Sequence, residues 1–280
     1  MLGALVIVFR EVIEAGLIIG IVMAATRGVP RRGRWIVAGV AGGLVGAAFV
    51  ALFAGSIARA FQGSGQEIFN ASILGTAVVM LMWHNAWMAS HGRQIAHEMK
   101  QVGIDVSEGT KPLTALAIVV GVAVLREGSE IVLFLYGIVA AGTSASALFT
   151  GGLLGIAAGA GLSALTYFGL IAIPSRYIFA VTTWLIALLA AGMAAQAVQF
   201  LDNAQVLTAL DSVVWNTSWL LSAGSILGRL LHTMIGYDDR PTQMQLIVYA
   251  STLLLMWLLA RYAGARNSHM RDQTLAAAER

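Results

Sequence analysis

Two short segments of the chain place arginine and glutamate at the same spacing inside apolar runs. The segment 10–14 reads Arg-Glu-Val-Ile-Glu and the segment 126–130 reads Arg-Glu-Gly-Ser-Glu, so both fit Arg-Glu-x-x-Glu. Because successive residues of a helix are rotated by about 100°, the three charged side chains of each segment lie on one helix face. Each charge at the centre of a membrane span costs about 2.5–3.5 kcal/mol, so these residues indicate a function.

The charges of the two segments do not balance. The i,i+4 spacing predicts ion pairs between Arg10 and Glu14 and between Arg126 and Glu130, and such pairs could have a purely structural role. They leave one glutamate of each segment without an arginine, so protons or a bound cation must offset two buried negative charges. We predict a cation site supported by Arg10 and Arg126, with four ligands: Glu11, Glu14, Glu127 and Glu130.

The ligand types narrow the choice of cation. Carboxylate oxygens suit hard ions, and the chain has no cysteine that would favour a soft ion. On this reasoning Fe(III) fits the site best, and Mn(II), Ca(II) and protons remain alternatives. The lack of cysteine also excludes disulfides, thiolate metal sites and cysteine nucleophiles.

The composition is that of an integral membrane protein. Of the 280 residues, 58% are apolar and only 11% are charged, whereas about a quarter are charged in soluble domains. The net charge of +3 does not indicate a nucleic-acid partner, because the arginines lie between apolar runs and form no basic face. The expected surroundings are therefore a lipid bilayer.

Seven apolar stretches are long enough to cross roughly 30 Å of hydrocarbon as helices. A cleaved signal peptide does not explain the first stretch, because three charged residues would interrupt its apolar core. The sequence therefore predicts an all-α integral membrane protein with seven transmembrane helices. The predicted spans lie near 2–25, 36–58, 68–90, 113–140, 149–173, 177–200 and 245–263.

The distribution of lysine and arginine predicts the orientation, because these residues accumulate on the cytoplasmic side. If the N-terminus is outside, twelve of them lie in inner segments and only Arg59, Arg229 and Arg240 lie in outer loops. We therefore predict that the N-terminus is outside and the C-terminus is cytoplasmic. The segment 264–280 would form a short cytoplasmic tail.

The segment 201–244 is expected to lie outside the membrane. Its centre is too polar to span the bilayer, yet its apolar residues could form a stripe on a helix, which predicts an interfacial or re-entrant helix. The stripe consists of Trp215, Trp219, Leu220, Leu227, Leu230 and Leu231.

The charged segment occurs twice, and weaker similarities follow each copy. "GGLVGAA" at 42–48 is similar to "GGLLGIAAG" at 151–159, and Ile-Phe at 68–69 to Ile-Phe at 178–179. Because three predicted spans separate the two charged segments, the second copy crosses in the opposite direction. This inverted-topology repeat is typical of secondary transporters. We predict two three-helix halves at 1–111 and 112–200, and a C-terminal seventh span at 245–263 outside the repeat.

At these residues the chain resembles the oxidase-dependent iron transporter family, the iron permeases of fungi and the iron-uptake permeases of bacteria. The mark of this family is a pair of Arg-Glu-x-x-Glu motifs in the first and fourth spans, which stand here at 10–14 and 126–130. "GQEIFNA" at the start of the third span, "MLMWHNAWM" at its end and the external "NTSWLL" also look like the bacterial branch. Val12 and Asn216 stand where this family often has glycine and aspartate, and the second departure argues against a metal role for position 216.

The resemblance implies a permease with no catalytic residues and no tightly bound cofactor. It implies that iron is the transported substrate, generally as Fe(III) supplied by a periplasmic or extracellular oxidase or iron-donor protein. Transport would cross the bacterial inner membrane, with the motif glutamates as ligands along the path. Some relatives have been associated with lead, so lead and manganese are the alternative ions.

Several other residues are weaker candidates for metal contact. Glu67, at the outer start of the third span, and Asp202, at the outer end of the sixth, could gather ions, but solvated helix ends have the same composition. His84 could relay the ion, although a lone histidine in a span more often satisfies a polar neighbour. His91, His97 and Glu98 are expected in or near a solvated inner loop, where a release site is the less favoured interpretation.

Two other functional classes make different demands on the sequence. A membrane polyprenyl-pyrophosphate phosphatase needs hydroxyl and arginine groups around a phosphate, and only "IPSRY" at 173–177 offers them. A membrane scaffold would tolerate Gln in place of Glu11 and Glu127. The glycine-rich runs lack the Lys and Ser/Thr of a phosphate-binding loop, so no nucleotide site is predicted.

Overall fold

The computed structural model describes the backbone of residues 1–60, 66–169 and 175–278. Within these ranges it describes all side chains except those of 57–60, 89, 93, 175–179, 226, 229–230, 233–234 and 263–278. The described residues form helices and no strands, and their one β-bridge joins Val213 to Thr242. The helices are α1 (Leu2–Ala25), α2 (Arg32–Ala60), α3 (Gln66–Ser107), α4 (Thr114–Ala140), α5 (Ala145–Tyr167), α6 (Ser175–Asn203), α7 (Ile226–Ile235) and α8 (Gln243–Ala278).

Five of these helices contain a stretch that is long and apolar enough to cross a membrane. They are α2, the first half of α3, α5, α6 and the first half of α8. Helices α1 and α4 have 24 and 27 residues, but each carries an arginine and two glutamates near its centre. The chain is therefore an all-helical, multi-pass membrane protein, as the sequence predicts. The span count of seven stays a prediction.

Two pairs of helices pack closely through glycines. A methyl group on Gly43 of α2 would lie 2.7 Å from the Gly121 carbonyl oxygen and 2.9 Å from the Leu125 nitrogen of α4. A methyl group on Gly155 of α5 would lie 2.8 Å from the Leu5 carbonyl oxygen and 3.0 Å from a backbone nitrogen of α1. Small residues allow such backbone contact in membranes, where helices gain no hydrophobic drive to associate.

The two glycine contacts correspond residue by residue. Gly43 contacts Gly121 and Leu125, and Gly155 contacts Leu5 and Phe9. Leu5 precedes Gly121, and Phe9 precedes Leu125, by the same number of residues as the first charged motif precedes the second. The structure thus gives Gly43 and Gly155 matching environments. The sequence similarity of 42–48 to 151–159 aligned Gly43 with Gly152 instead, because local glycine patterns do not reveal the length difference between the α1–α2 and α4–α5 connections.

The core beside these pairs lies between α3, α4 and α6. Leu74, Leu81, Phe134 and Ile186 are fully buried there. Helix α8 covers α6 and α3 from one side. This packing holds the middle of α3 against the two helices that carry the charged motifs.

Helix α3 is much longer than the predicted span. It continues to Ser107, so His91, His97 and Glu98 lie on a helix, and their assignment to a loop was wrong. Residues 94–101 are mostly strong helix formers, which favours continuation beyond the apolar stretch. Past the end of the helix, Lys111 pairs with Asp105 at 2.8 Å, and hydrogen bonds from Lys111 and Gln101 lower the pKa of the Asp105 carboxyl.

The external segment forms a helix over only part of the predicted stripe. Helix α7 begins after Ser225, whose side chain accepts a hydrogen bond from the Gly228 N–H, and ends at Gly236 with φ 68°. Trp215 lies before it in an irregular stretch and Trp219 and Leu220 in a turn, so placing them on a shared helix was wrong. These turns are held by polar bonds such as Asn216 Oδ1 accepting from the Ser218 N–H at 3.0 Å, which compete with a helix.

Some predicted features lie partly outside the described residues. Of "IPSRY", positions 173–174 lie outside the described backbone, and the side chains of 175–177 lie outside the described side chains. The same applies to the side chains of 178–179 and to those of the tail at 264–280. The backbone of the tail is helical as far as Ala278.

Candidate metal site

The two charged motifs lie at the centres of α1 and α4, which contact each other. Four of the six charged side chains are almost completely buried: Arg10 is 3% exposed, Glu11 0%, Glu14 4% and Glu127 2%. Helix periodicity places the charged side chains of each motif on one face of its helix. Because α5 packs on α1 and α2 packs on α4, the charged faces of α1 and α4 are left to face each other.

The predicted i,i+4 ion pairs are present in both motifs. Arg10 Nε donates to Glu14 Oε1 at 2.9 Å, and Arg126 Nε donates to Glu130 Oε1 at 3.2 Å. Arg126 Nε also lies 3.7 Å from Glu127 Oε1. Each arginine thus holds the second glutamate of its motif, which leaves Glu11 and much of Glu127 available for another partner.

A histidine of α3 connects the two motifs. His84 is 4% exposed, and its Nδ1 contacts Glu130 Oε2 of the second motif. Its Nε2 lies 3.8 Å from Glu11 Oε2 and 3.7 Å from Glu14 Oε2 of the first. The imidazole therefore lies between the carboxylates of the two halves, a position that the sequence pattern ranked only as a lesser candidate.

Four side chains converge closely enough to hold one metal ion. Glu11, His84, Glu127 and Glu130 each offer a ligand atom, and these atoms all lie within 4.8 Å of one another. Opposite ligands of an ion with bond lengths of about 2.0–2.4 Å are roughly 4.0–4.8 Å apart, so the cluster matches a single coordination sphere. Among the residues that the structure describes, this is the group of acidic or histidine side chains with that geometry.

The remaining predicted ligand, Glu14, lies beside this group rather than in it. One of its oxygens is bonded to Arg10, and the other, Oε2, faces His84. A ligand role for Glu14 stays a prediction.

Several buried polar atoms of the cluster have no hydrogen-bond partner among the described residues. An unpaired polar atom costs about 1–3 kcal/mol, and more when charged, so their concentration at one place indicates a ligand. Carboxylate oxygens and an imidazole nitrogen are the donors that a cation such as iron takes. In the cluster the atoms are both oxygens of Glu11, Oε2 of Glu127, Oε2 of Glu130 and Nε2 of His84; beside it they are Oε2 of Glu14 and the donor Nη1 of Arg10.

Two side chains that sequence reasoning did not single out hold Arg126. Its guanidinium lies 4.1 Å from the centre of the Trp87 ring, and its Nη2 lies 3.6 Å from Met88 Sδ. Trp87 and Met88 are in the stretch "MLMWHNAWM", whose unusual composition was the only available signal. Both side chains stabilise the charge of Arg126, which is less buried than Arg10.

The two motifs differ in their access to open space. A cavity of about 450 Å³ between α3 and α4 is lined by His84, Trp87, Arg126 and Glu130. The side chains of Arg126 and Glu130 are 32% and 16% exposed, whereas those of Arg10 and Glu14 are each 3% exposed. The cluster is therefore reached from the side of the second motif.

Glu67 and Asp202 lie away from the cluster. Glu67 is in the first turn of α3, about 25 Å along the helix from His84 at 1.5 Å per residue. Asp202 lies at the end of α6. A role for either in gathering ions stays a prediction.

Comparison with known proteins shows the family of the chain. The model of the iron permease FTR1 family matches residues 1–264. The chain is 31% identical over 272 residues to the ferrous iron permease EfeU of Escherichia coli O6:H1, covering 94% of this chain and 97% of that protein. It is 28% identical over 247 residues to the ferrous iron permease EfeU of Yersinia pestis, covering 87% of each. No solved structure is a significant match. The paired motifs and the match along nearly the whole chain show that the protein belongs to the iron permease FTR1 family.

Proposed function

We propose that this protein imports iron across the inner membrane through the cluster of Glu11, His84, Glu127 and Glu130. The observation that supports this most strongly is the convergence of ligand atoms from α1, α3 and α4 within 4.8 Å. Ligands from both halves of the chain at one ion suit a transporter, because relative movement of the halves can change access to the ion.

In this proposal α1 and α4 also cross the membrane, which gives seven spans. Their charges face each other and a cavity rather than lipid, which is how charged residues are tolerated at this depth. The matching environments of Gly43 and Gly155 support two inverted three-helix halves. The N-terminus lies outside and the C-terminus in the cytoplasm, as the lysine and arginine distribution predicts.

The donor set of the cluster indicates which oxidation state of iron it would bind. The prediction of Fe(III) rested on ligands that were all oxygen, and His84 adds an imidazole nitrogen. Imidazole together with carboxylate is a common donor set for Fe(II), and the relatives named above are ferrous iron permeases. We therefore propose Fe(II) as the ion held in the cluster, with Fe(III) delivered by an oxidase or donor protein as the alternative.

Uptake into proteoliposomes tests this function. Protein reconstituted without any partner is given Fe(II) under anaerobic, reducing conditions, Fe(III) citrate, Mn(II) or Pb(II), with pH and membrane potential controlled. We expect saturable uptake of Fe(II) that Mn(II) inhibits weakly. Uptake of Fe(III) alone would favour the alternative, and uptake of none of these ions by folded protein would contradict the proposal.

A further inference from the structure

We propose that a groove between α2, α3 and α4 is the route by which the ion reaches the cluster from the membrane face on which the N-terminus lies. This inference rests on the proposed function and adds the path and its lining residues. The groove is formed by two cavities, of about 450 Å³ and about 330 Å³, which share Met80 as a lining residue.

The positions of the lining residues along α3, α4 and α2 give the direction of the groove. Along α3 its lining residues run from His84 back to Phe69, toward the start of the helix. Along α4 they run from Arg126 forward to Tyr136, toward the end of the helix, and α2 contributes Ala54 near its own end. The start of α3 and the ends of α2 and α4 lie on one side of the cluster, so the groove leads to one membrane face.

The inner end of the groove contains charged groups that hydrocarbon does not tolerate. The partly exposed side chains of Arg126 and Glu130 line it. His84 also lines it, and the Nε2 atom of this buried histidine has no hydrogen-bond partner among the described residues. Charged side chains within spans face protein or water-filled cavities. In the proposed route water surrounds these charged groups, although the exposed apolar side chains of Val79 and Trp83 line the same cavity.

The outer part of the groove presents oxygen atoms with free lone pairs. The hydroxyls of Ser72 and Thr76 each donate to a carbonyl one turn earlier in α3, at 2.8 Å, and Tyr136 donates to the Ala51 carbonyl at 3.2 Å. A hydroxyl that donates in this way still has lone pairs to offer, so these three oxygens, among otherwise apolar side chains, suit a hydrated cation better than an anion.

The first motif has no contact with the groove. Arg10, Glu11 and Glu14 are buried, and none of them lines either cavity of the groove. The groove thus opens the cluster toward one face, which is a condition that alternating access requires before the halves move.

Cysteine labelling tests the route directly, because the natural chain has no cysteine. Thr76→Cys, Ser72→Cys and Met80→Cys are each made as the only cysteine, and a cationic, membrane-impermeant thiol reagent is added to right-side-out or inside-out vesicles. Ser146→Cys, in the first turn of α5, and Glu108→Cys, before α4, mark the two membrane faces. Val45→Cys, on the face of α2 opposite Ala54, is the matched lipid-facing control.

We expect the three groove cysteines to react from the same face as Ser146→Cys and not from the face of Glu108→Cys, while Val45→Cys stays unreactive. Iron should slow the labelling of Met80→Cys, and labelling of Thr76→Cys should lower the uptake of that variant below that of the same variant before labelling. Lack of reaction at all three positions, or reaction only from the Glu108 face, would overturn the route. If labelling occurs as expected but no variant or wild-type protein transports iron, the groove stands and the proposed function fails.

Discussion

His84 Nδ1 contacts Glu130 Oε2, so a side chain of α3 joins the second charged motif while its Nε2 faces Glu11 and Glu14 of the first. This contact makes the histidine the link between the two halves. An imidazole whose Nδ1 is fixed by a carboxylate presents Nε2 as a metal ligand, an arrangement found in many metal sites.

Replacing His84 should therefore weaken iron binding without unfolding the protein. We expect His84→Ala to lower iron affinity by about 10–100-fold or more, the range seen when groups that hold a metal site are removed. His97→Gln is the matched control, because His97 lies on the same helix, exposed and outside the cluster. Equal affinities in the two variants, measured by anaerobic iron titration, would exclude His84 as a ligand.

Glu11→Gln should abolish iron uptake and raise the thermal stability of the protein without iron. The Glu11 carboxylate is fully buried and both its oxygens are unpartnered, so removing the charge relieves a desolvation cost. Uptake assays and thermal unfolding in detergent measure the two effects. A fall in melting temperature would mean instead that the carboxylate is a structural group.

Glu14→Gln should have the opposite effect on stability. It leaves the buried Arg10 without its ion pair, and breaking a buried pair typically costs about 3–5 kcal/mol. Arg10→Lys should also impair uptake, because lysine lacks the planar donor fork of arginine. A Glu14→Gln protein as stable as the wild type would show that Arg10 has another partner.

The glycine contacts allow a prediction about packing that does not depend on the metal. Gly43→Ala and Gly155→Ala bring a methyl group against backbone atoms at 2.7–3.0 Å, so each should destabilise the protein by about 1–3 kcal/mol. Gly42→Ala and Gly152→Ala are matched controls, since nothing lies within 4 Å of the added methyl. If the controls lose as much stability as the contact variants, measured by unfolding in detergent, helix packing at these positions is looser than described.

Much of the helical layout and of the charged cluster could be predicted from local patterns. Long apolar runs require helices in a bilayer, and Arg10 with Glu14 or Arg126 with Glu130 follows from helix periodicity alone. The closeness of Glu11 to Glu127 was inferred from the repeat and agrees with the packed helices.

Other features depend on tertiary packing or on competing local bonds. The pattern around His84 is that of any buried histidine, and only the position of α3 beside α1 and α4 places its ring in the cluster. The extension of α3 to Ser107 was missed because polar helix formers carry no membrane signal. Trp215 and Trp219 were placed on a helix because an apolar stripe does not reveal the Asn216 turn.

Anaerobic binding of Fe(II) to the purified wild-type protein and to Glu11→Gln and Glu127→Gln tests most directly whether both halves hold the ion. We predict one tightly bound ion per wild-type chain and loss of that ion in each variant, although one substitution is in α1 and the other in α4. Full binding by either variant in its folded form would contradict a site shared between the halves.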